Sequence, residues 1–177
     1  MKITEKEFLE AEIGAMNLTM NNPQFVALAK QVGNYLKKYK QLSAIDYGCG
    51  TGVYSEVLRK DGFNIIAQDV FKVHRDYCKE NYPDLKVVAR PAKAELMLFI
   101  EVAEHMTNEE IETAIKKIDP EFILFSSTPE KTNNDADWGH INIKNEQEWA
   151  SFWFDLGYKL IDKPKTPTMW ALMLKKI

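Results

Sequence analysis

Apolar positions along the chain alternate between helical spacing, three to four residues apart, and short continuous runs typical of buried strands. Phe8, Leu9 and Ile13 follow Thr4-x-x-Glu7, which has the form of a capping box, and Gly14 supplies a stop. Pro23 opens a second predicted helix with Phe25, Ala29, Val32 and Leu36 on one face. An apolar run at residues 42–45 then leads into Asp46-Tyr47-Gly48-Cys49-Gly50-Thr51-Gly52, and residues 53–58 look helical again. Residues 63–67 predict a second strand ending at Asp69, and residues 73–82 a helix stopped by Pro83. Strands are expected at residues 85–89, 96–100 and 122–125. Between the last two, Thr107-x-x-Glu110 caps a helix whose apolar face is Ile111, Ala114, Ile115 and Ile118.

Residues 126–144 are polar and carry no period, and a loop of that length is usually functional or disordered. Helix returns at Asn145-x-x-Glu148, with Trp149, Phe152, Trp153 and Leu156 at helical spacing, and the aromatic set Trp149, Phe152, Trp153 and Phe154 is read as core packing against the sheet. Closing strands are predicted at residues 158–161 and 169–174. The segment between them is too short for a crossover helix, so the pair must be antiparallel. The expected fold is α/β: a doubly wound, mostly parallel seven-stranded sheet with a C-terminal antiparallel hairpin and N-terminal helices. A single domain over residues 1–177 is expected, with a helical cap at 1–40 and the core at 41–177.

Composition narrows the class without naming it. The chain has 177 residues, 45% hydrophobic and 28% charged, as an ordinary globular domain has. The first ten residues are too acidic for a signal or transit peptide, and no apolar run reaches the ~20 residues of a membrane span, so a cytoplasmic address is expected. A net charge of −3 gives no basic field for a nucleic acid. Cys49 and Cys78 are too few for a disulfide framework and lack zinc-type spacing.

The chemistry begins at the glycine turn. A strand, a turn with alternate glycines and a helix start form the first unit of a nucleotide-binding sheet, with helix N–H groups offered to an anionic ligand end. Nicotinamide and flavin sites place a third glycine where Val53 stands, which counts against them. Asp-x-Gly-x-Gly-x-Gly instead resembles motif I of the class I methyltransferases that use S-adenosylmethionine (SAM), and the terminal hairpin extends the resemblance across nearly the whole chain. The resemblance implies that Asp46, Tyr47, Gly48, Cys49, Gly50 and Gly52 line the donor, and that Asp69 takes the ribose hydroxyls beside Val70. Glu101 would complete that cofactor set. Where the family holds adenine with an Asp or Asn, this chain has Ala89-Arg90-Pro91-Ala92.

A second constellation follows the fourth strand. In Glu101-Val102-Ala103-Glu104-His105, helical turning would put Glu101, Glu104 and His105 on one face, and His140 lies in the long polar loop. Two carboxylates and two imidazoles suit Mg²⁺, Mn²⁺ or Fe²⁺ better than zinc. The segment is similar to the Glu-x-x-Glu-His of ubiquinone-biosynthesis O-methyltransferases. It is also similar to that of small-RNA 2′-O-methyltransferases, in which a Ser-Thr-Pro precedes a later His, as Ser127-Thr128-Pro129 precedes His140 here. By that resemblance Glu101, Glu104, His105 and His140 would hold Mg²⁺ or Mn²⁺. The alternative makes Glu104 and His105 capping groups, with His140 a catalytic base. Trp138 is a candidate for substrate stacking, and His74 is expected on a solvated helix face without a role.

The resulting expectation is a SAM-dependent methyltransferase acting on an oxygen of a small molecule, with Glu104, His105 and His140 as catalytic candidates. An RNA end is the less favoured acceptor, because the lysines (37, 38, 40, 163, 165) are scattered. A non-catalytic SAM-fold partner protein is the third reading.

Overall fold

A computed structural model describes residues 3–128, 131, 138–168 and 170–177. Pro129 of the Ser-Thr-Pro segment and Met169, the predicted first residue of the last strand, lie outside the described residues. The chain divides into two compact units, Thr4–Pro91 and one built on Ala92–Ile177.

In the first unit, α1 (Glu5–Ile13) starts at the predicted capping box: Glu7 N–H donates to Thr4 Oγ1, and Thr4 N–H donates to Glu7 Oε2. The second helix, α2 (Pro23–Leu36), has Pro23 in its first turn, and Asn22 caps it by accepting from Gln24 and Phe25 N–H. Strand β1 (Ser43–Tyr47) pairs in parallel with β2 (Asn64–Gln68), and β2 in parallel with β3 (Val87–Val88). Helix α3 (Val53–Lys60) connects β1 to β2, and α4 (Lys72–Asn81) connects β2 to β3. Cys49, Ala67, Cys78, Tyr82 and Leu85 form one apolar cluster; Ala29, Val53 and Val57 form another.

The second unit carries β4 (Leu96–Ile100), α5 (Asn108–Ile118), β5 (Phe122–Ser126), α6 (Glu146–Asp155), β6 (Tyr158–Asp162) and β7 (Leu172–Lys176). Capping boxes at Thr107 and Asn145 start α5 and α6 as predicted. Strand β4 is parallel to β5, whereas β7 is antiparallel to both β5 and β6. Trp149 and Trp153 of α6 are fully buried, with ring centroids 5.0 and 5.1 Å from that of Phe125 on β5, so these two members of the aromatic set are core as expected. Phe154 corrects its core assignment: it is exposed, because one position beyond Trp153 is about 100° round the helix from the buried face.

The strands follow the order β3-β2-β1-β4-β5-β7-β6, a seven-stranded, mostly parallel sheet with an antiparallel end, as the sequence predicts. Most strand and helix bounds shift by a residue or two, with the main changes at β3 and β7. Strand β3 keeps only two of the five residues at 85–89, because only Val87 and Val88 have ladder partners on β2. The described ladder of β7 begins at Leu172 and runs to Lys176, past the predicted end at 174, because Lys175 is in register with Phe122 and Lys176 with Tyr158. Among the described residues no helix is long and apolar enough to cross a membrane.

Candidate functional site

The glycine turn has the backbone its sequence requires. Gly48, Gly50 and Gly52 have φ of 71°, 52° and 76°, a region closed to most L-residues. Gly48 and Cys49 N–H both donate to Gln68 O, at 2.8 and 2.9 Å, which ties the turn to the end of β2. Gly52 is the N-cap of α3 and offers no side-chain cap. The role of cap falls to Asp46: its Oδ2 accepts from Ser55 Oγ at 2.7 Å, and the Ser55 N–H bonds to the same carboxylate. One of the helix N–H groups expected to meet an anionic ligand is therefore taken within the chain.

Asp69 sits just past β2, 5% exposed, and both its oxygens shape the turn. Oδ2 accepts from Gly50 N–H at 3.0 Å, and Oδ1 from Phe71 N–H at 2.8 Å. Burial raises its pKa above the usual range, against His74, these two N–H groups and Arg75. Arg75 donates to the carbonyls of Asp69 and Val70 at 2.9 and 2.6 Å, and Val70 presents an exposed apolar surface beside Asp69.

His74 corrects its sequence assignment. It is 1% exposed, and its Nε2 lies 2.7 Å from Glu12 Oε2 on α1. The expected solvated face is covered by α1, which packs on α4. Neither Glu12 nor Arg75 was read as a site residue: Glu12 is 62 positions from its partner, and nothing local signals the pairing.

The buried Asp46 gives a pH prediction. Burial, with Asp69 adding repulsion, raises its pKa from 3.8 to about 6, against the Ser55 hydrogen bonds. A folded-state pKa above the unfolded one means that stability is greatest below the unfolded pKa and is lost as pH rises through the folded one. Asp46→Asn removes that loss and keeps an acceptor for Ser55. The variant is expected to be more stable than the parent by about 1–3 kcal/mol at pH 7.5, with little difference near pH 4. Thermal melts at the two pH values check it, and an equal difference at both would refute the titration as its cause.

In the second unit Glu101 has φ of 53°, in the left-handed region, and starts a bend that continues into a short 3₁₀ turn, Ala103–His105. This geometry replaces the helical face expected for Glu101, Glu104 and His105. Ligand atoms of Glu104, His105 and His140 all lie within 4.8 Å of one another, and Glu101 is not part of that group. Instead Thr128 Oγ1 lies 3.4 Å from Glu101 Oε2 and 3.2 Å from Glu104 Oε1. Three of the four proposed metal ligands therefore converge, with Glu101 beside them on Thr128. Glu104 is 1% exposed and accepts from Ser127 Oγ at 2.9 Å. Its backbone carbonyl accepts from Ile141 and Asn142 N–H, at 2.7 and 3.0 Å, which anchors the segment that carries His140.

The rings of His105 and His140 are 4.8 Å apart, edge to face. Burial, with His140 adding to it, lowers the His105 pKa against the Glu104 charge and the Gly139 and Trp138 carbonyls. Burial and the neighbouring Glu104 raise Glu101 to about 7. Trp138 is half-buried at the start of this segment.

Over residues 22–163 the sequence matches the methyltransferase domain family, and the chain belongs to that family. The class is that of SAM-dependent methyltransferases. Solved structures share the fold at low identity. Magnesium protoporphyrin IX methyltransferase from Synechocystis PCC 6803 with bound S-adenosylhomocysteine has a TM-score of 0.66 at 14% identity, covering 98% of this chain and 100% of that one. DesVI of Streptomyces venezuelae gives 0.69 at 13% identity, covering 94% and 98%. A SAM-dependent methyltransferase from Archaeoglobus fulgidus gives 0.62 at 15%, covering 84% and 94%. No curated protein matches the chain in sequence.

Proposed function

We propose that the protein methylates an oxygen of a small-molecule acceptor, with SAM on the glycine turn and a histidine as the base for the acceptor hydroxyl. The observation that carries this reading is the convergence of His105, His140 and Glu104 within 4.8 Å. In the donor role, Asp46, Tyr47, Gly48, Cys49, Gly50 and Gly52 line the methionine half, and Asp69 takes the ribose. The sulfonium is already a strong electrophile, so alignment of donor and acceptor is the main task and can supply roughly 7–11 kcal/mol of the barrier. A neutral imidazole that removes the hydroxyl proton adds about 10²–10⁴ in rate. A net charge of −3 supports a small acceptor over an RNA end.

A second reading rests on the same three side chains. Two imidazole nitrogens and a carboxylate oxygen within 4.8 Å of one another fit a divalent cation such as Mn²⁺ or Mg²⁺, bound by Glu104, His105 and His140. When bound, such an ion lowers the pKa of a coordinated hydroxyl and orients it.

One experiment separates the two. Release of S-adenosylhomocysteine is followed with a panel of hydroxylated acceptors before and after chelation, for the parent and His140→Ala. Turnover is expected to survive chelation, and His140→Ala to lower kcat about 10²–10⁴-fold with the SAM dissociation constant retained. Loss of turnover on chelation, with recovery on Mn²⁺ or Mg²⁺, would instead establish the metal.

A further inference from the structure

Glu12 and His74 put a largely buried carboxylate–imidazole pair against the glycine turn. Glu12 Oε1 lies 2.9 Å from the point where a Cβ on Gly50 would stand, so its carboxylate covers that face of the turn. The other oxygen, Oε2, is 2.7 Å from His74 Nε2. His74 lies against the rings of Phe8 and Phe71, at centroid distances of 6.0 and 5.6 Å, and its Nδ1 is buried without a hydrogen-bond partner. One end of the imidazole is thus committed to Glu12, which fixes where the carboxylate sits.

The pair is poorly explained as a fastening for the fold. Burying a carboxylate beside an imidazole is costly, and the attraction between them often fails to offset it. No residue of α1 is fully buried, so the helix contributes little core that the pair would hold in place. Oε1 accepts no hydrogen bond from the described residues, although the Glu12 side chain is only 12% exposed. An acceptor oxygen held over Gly50 has its complement in a positively charged donor.

We propose that Glu12 is a donor-binding residue that receives the α-ammonium of SAM, and that His74 is its positioning residue. The assignment rests on the reading that the glycine turn holds the methionine half of SAM. It adds a carboxylate from the N-terminal helix to those of the turn, and so favours ligands that carry an amine on that side.

The test compares SAM with 5′-methylthioadenosine, which keeps adenosine, sulfur and methyl but lacks the aminocarboxypropyl chain. Dissociation constants for both are measured by calorimetry on the parent, Glu12→Gln, His74→Gln and His74→Leu. Glu12→Gln is expected to weaken SAM about tenfold or more while methylthioadenosine stays within about twofold, since a charge-assisted bond is lost on one ligand only. His74→Leu should reproduce that selective loss, and His74→Gln, which keeps a donor for Glu12, should largely restore selectivity. Retained methylthioadenosine binding shows that each variant is folded. Equal weakening of both ligands, or no change in either, would overturn the assignment and leave Glu12 a structural contact. A parent that binds neither ligand would overturn the donor reading itself, and this assignment with it.

Discussion

Asp69→Ala is expected to raise the SAM dissociation constant at least tenfold and to loosen the glycine turn at the same time. The two effects have one origin. Each carboxylate oxygen accepts one backbone N–H, from Gly50 and from Phe71, and keeps a second lone pair for a ribose hydroxyl. In the proposed donor role, loss of the side chain would remove two charge-assisted acceptors from the sugar. It also leaves two N–H groups without partners, at roughly 1–3 kcal/mol for each that stays buried. Asp69→Asn should fall between, because an amide retains one acceptor oxygen and loses the charge. Calorimetry with SAM and a urea melt read the two effects separately. Unchanged affinity in the alanine variant would exclude Asp69 from the site.

Gly52→Ala should give the largest loss of stability of any single methyl added to the turn. Its φ of 76° is left-handed, which costs a non-glycine residue about 1–2 kcal/mol. A Cβ there would stand 2.7 Å from Cys78 Sγ and 3.3 Å from Tyr82 Cε2, both parts of a packed cluster with little room to yield. Overpacking of that kind costs about 1–3 kcal/mol more. The combined loss is a large share of the ~5–15 kcal/mol that holds a domain folded. Gly157→Ala provides the control: its φ is 86°, but nothing lies within 4 Å of the added methyl. Thermal melts should show Gly52→Ala well below Gly157→Ala. Equal losses would mean that backbone strain acts alone and that Cys78 does not restrict the position.

Features governed by neighbours in sequence were legible before the structure was known. The capping boxes at Thr4, Thr107 and Asn145 are contacts between residues three apart, and all three form as predicted. The glycine turn belongs with them, since its positive φ values follow from residue type. The antiparallel hairpin followed from the length of a connection. Features governed by distant partners were not legible. His74 has the composition of a surface position on a polar helix, and only the arrival of α1 buries it. Spacing puts Glu101 on a helical face, but its left-handed backbone breaks that face, and nothing in the residue type signals it. The ends of β7 escaped because Leu172, Met173 and Leu174 are all buried, so no alternation marks where pairing starts or stops.

The two tryptophans packed on Phe125 have an experimental consequence. All four tryptophans of the chain, at positions 138, 149, 153 and 170, fall in the Ala92–Ile177 unit, and none in Thr4–Pro91. Intrinsic fluorescence excited at the indole edge therefore reports on one half of the protein, while the half with the glycine turn emits through tyrosine alone. An indole inserted beside that turn would give it a spectroscopic voice of its own.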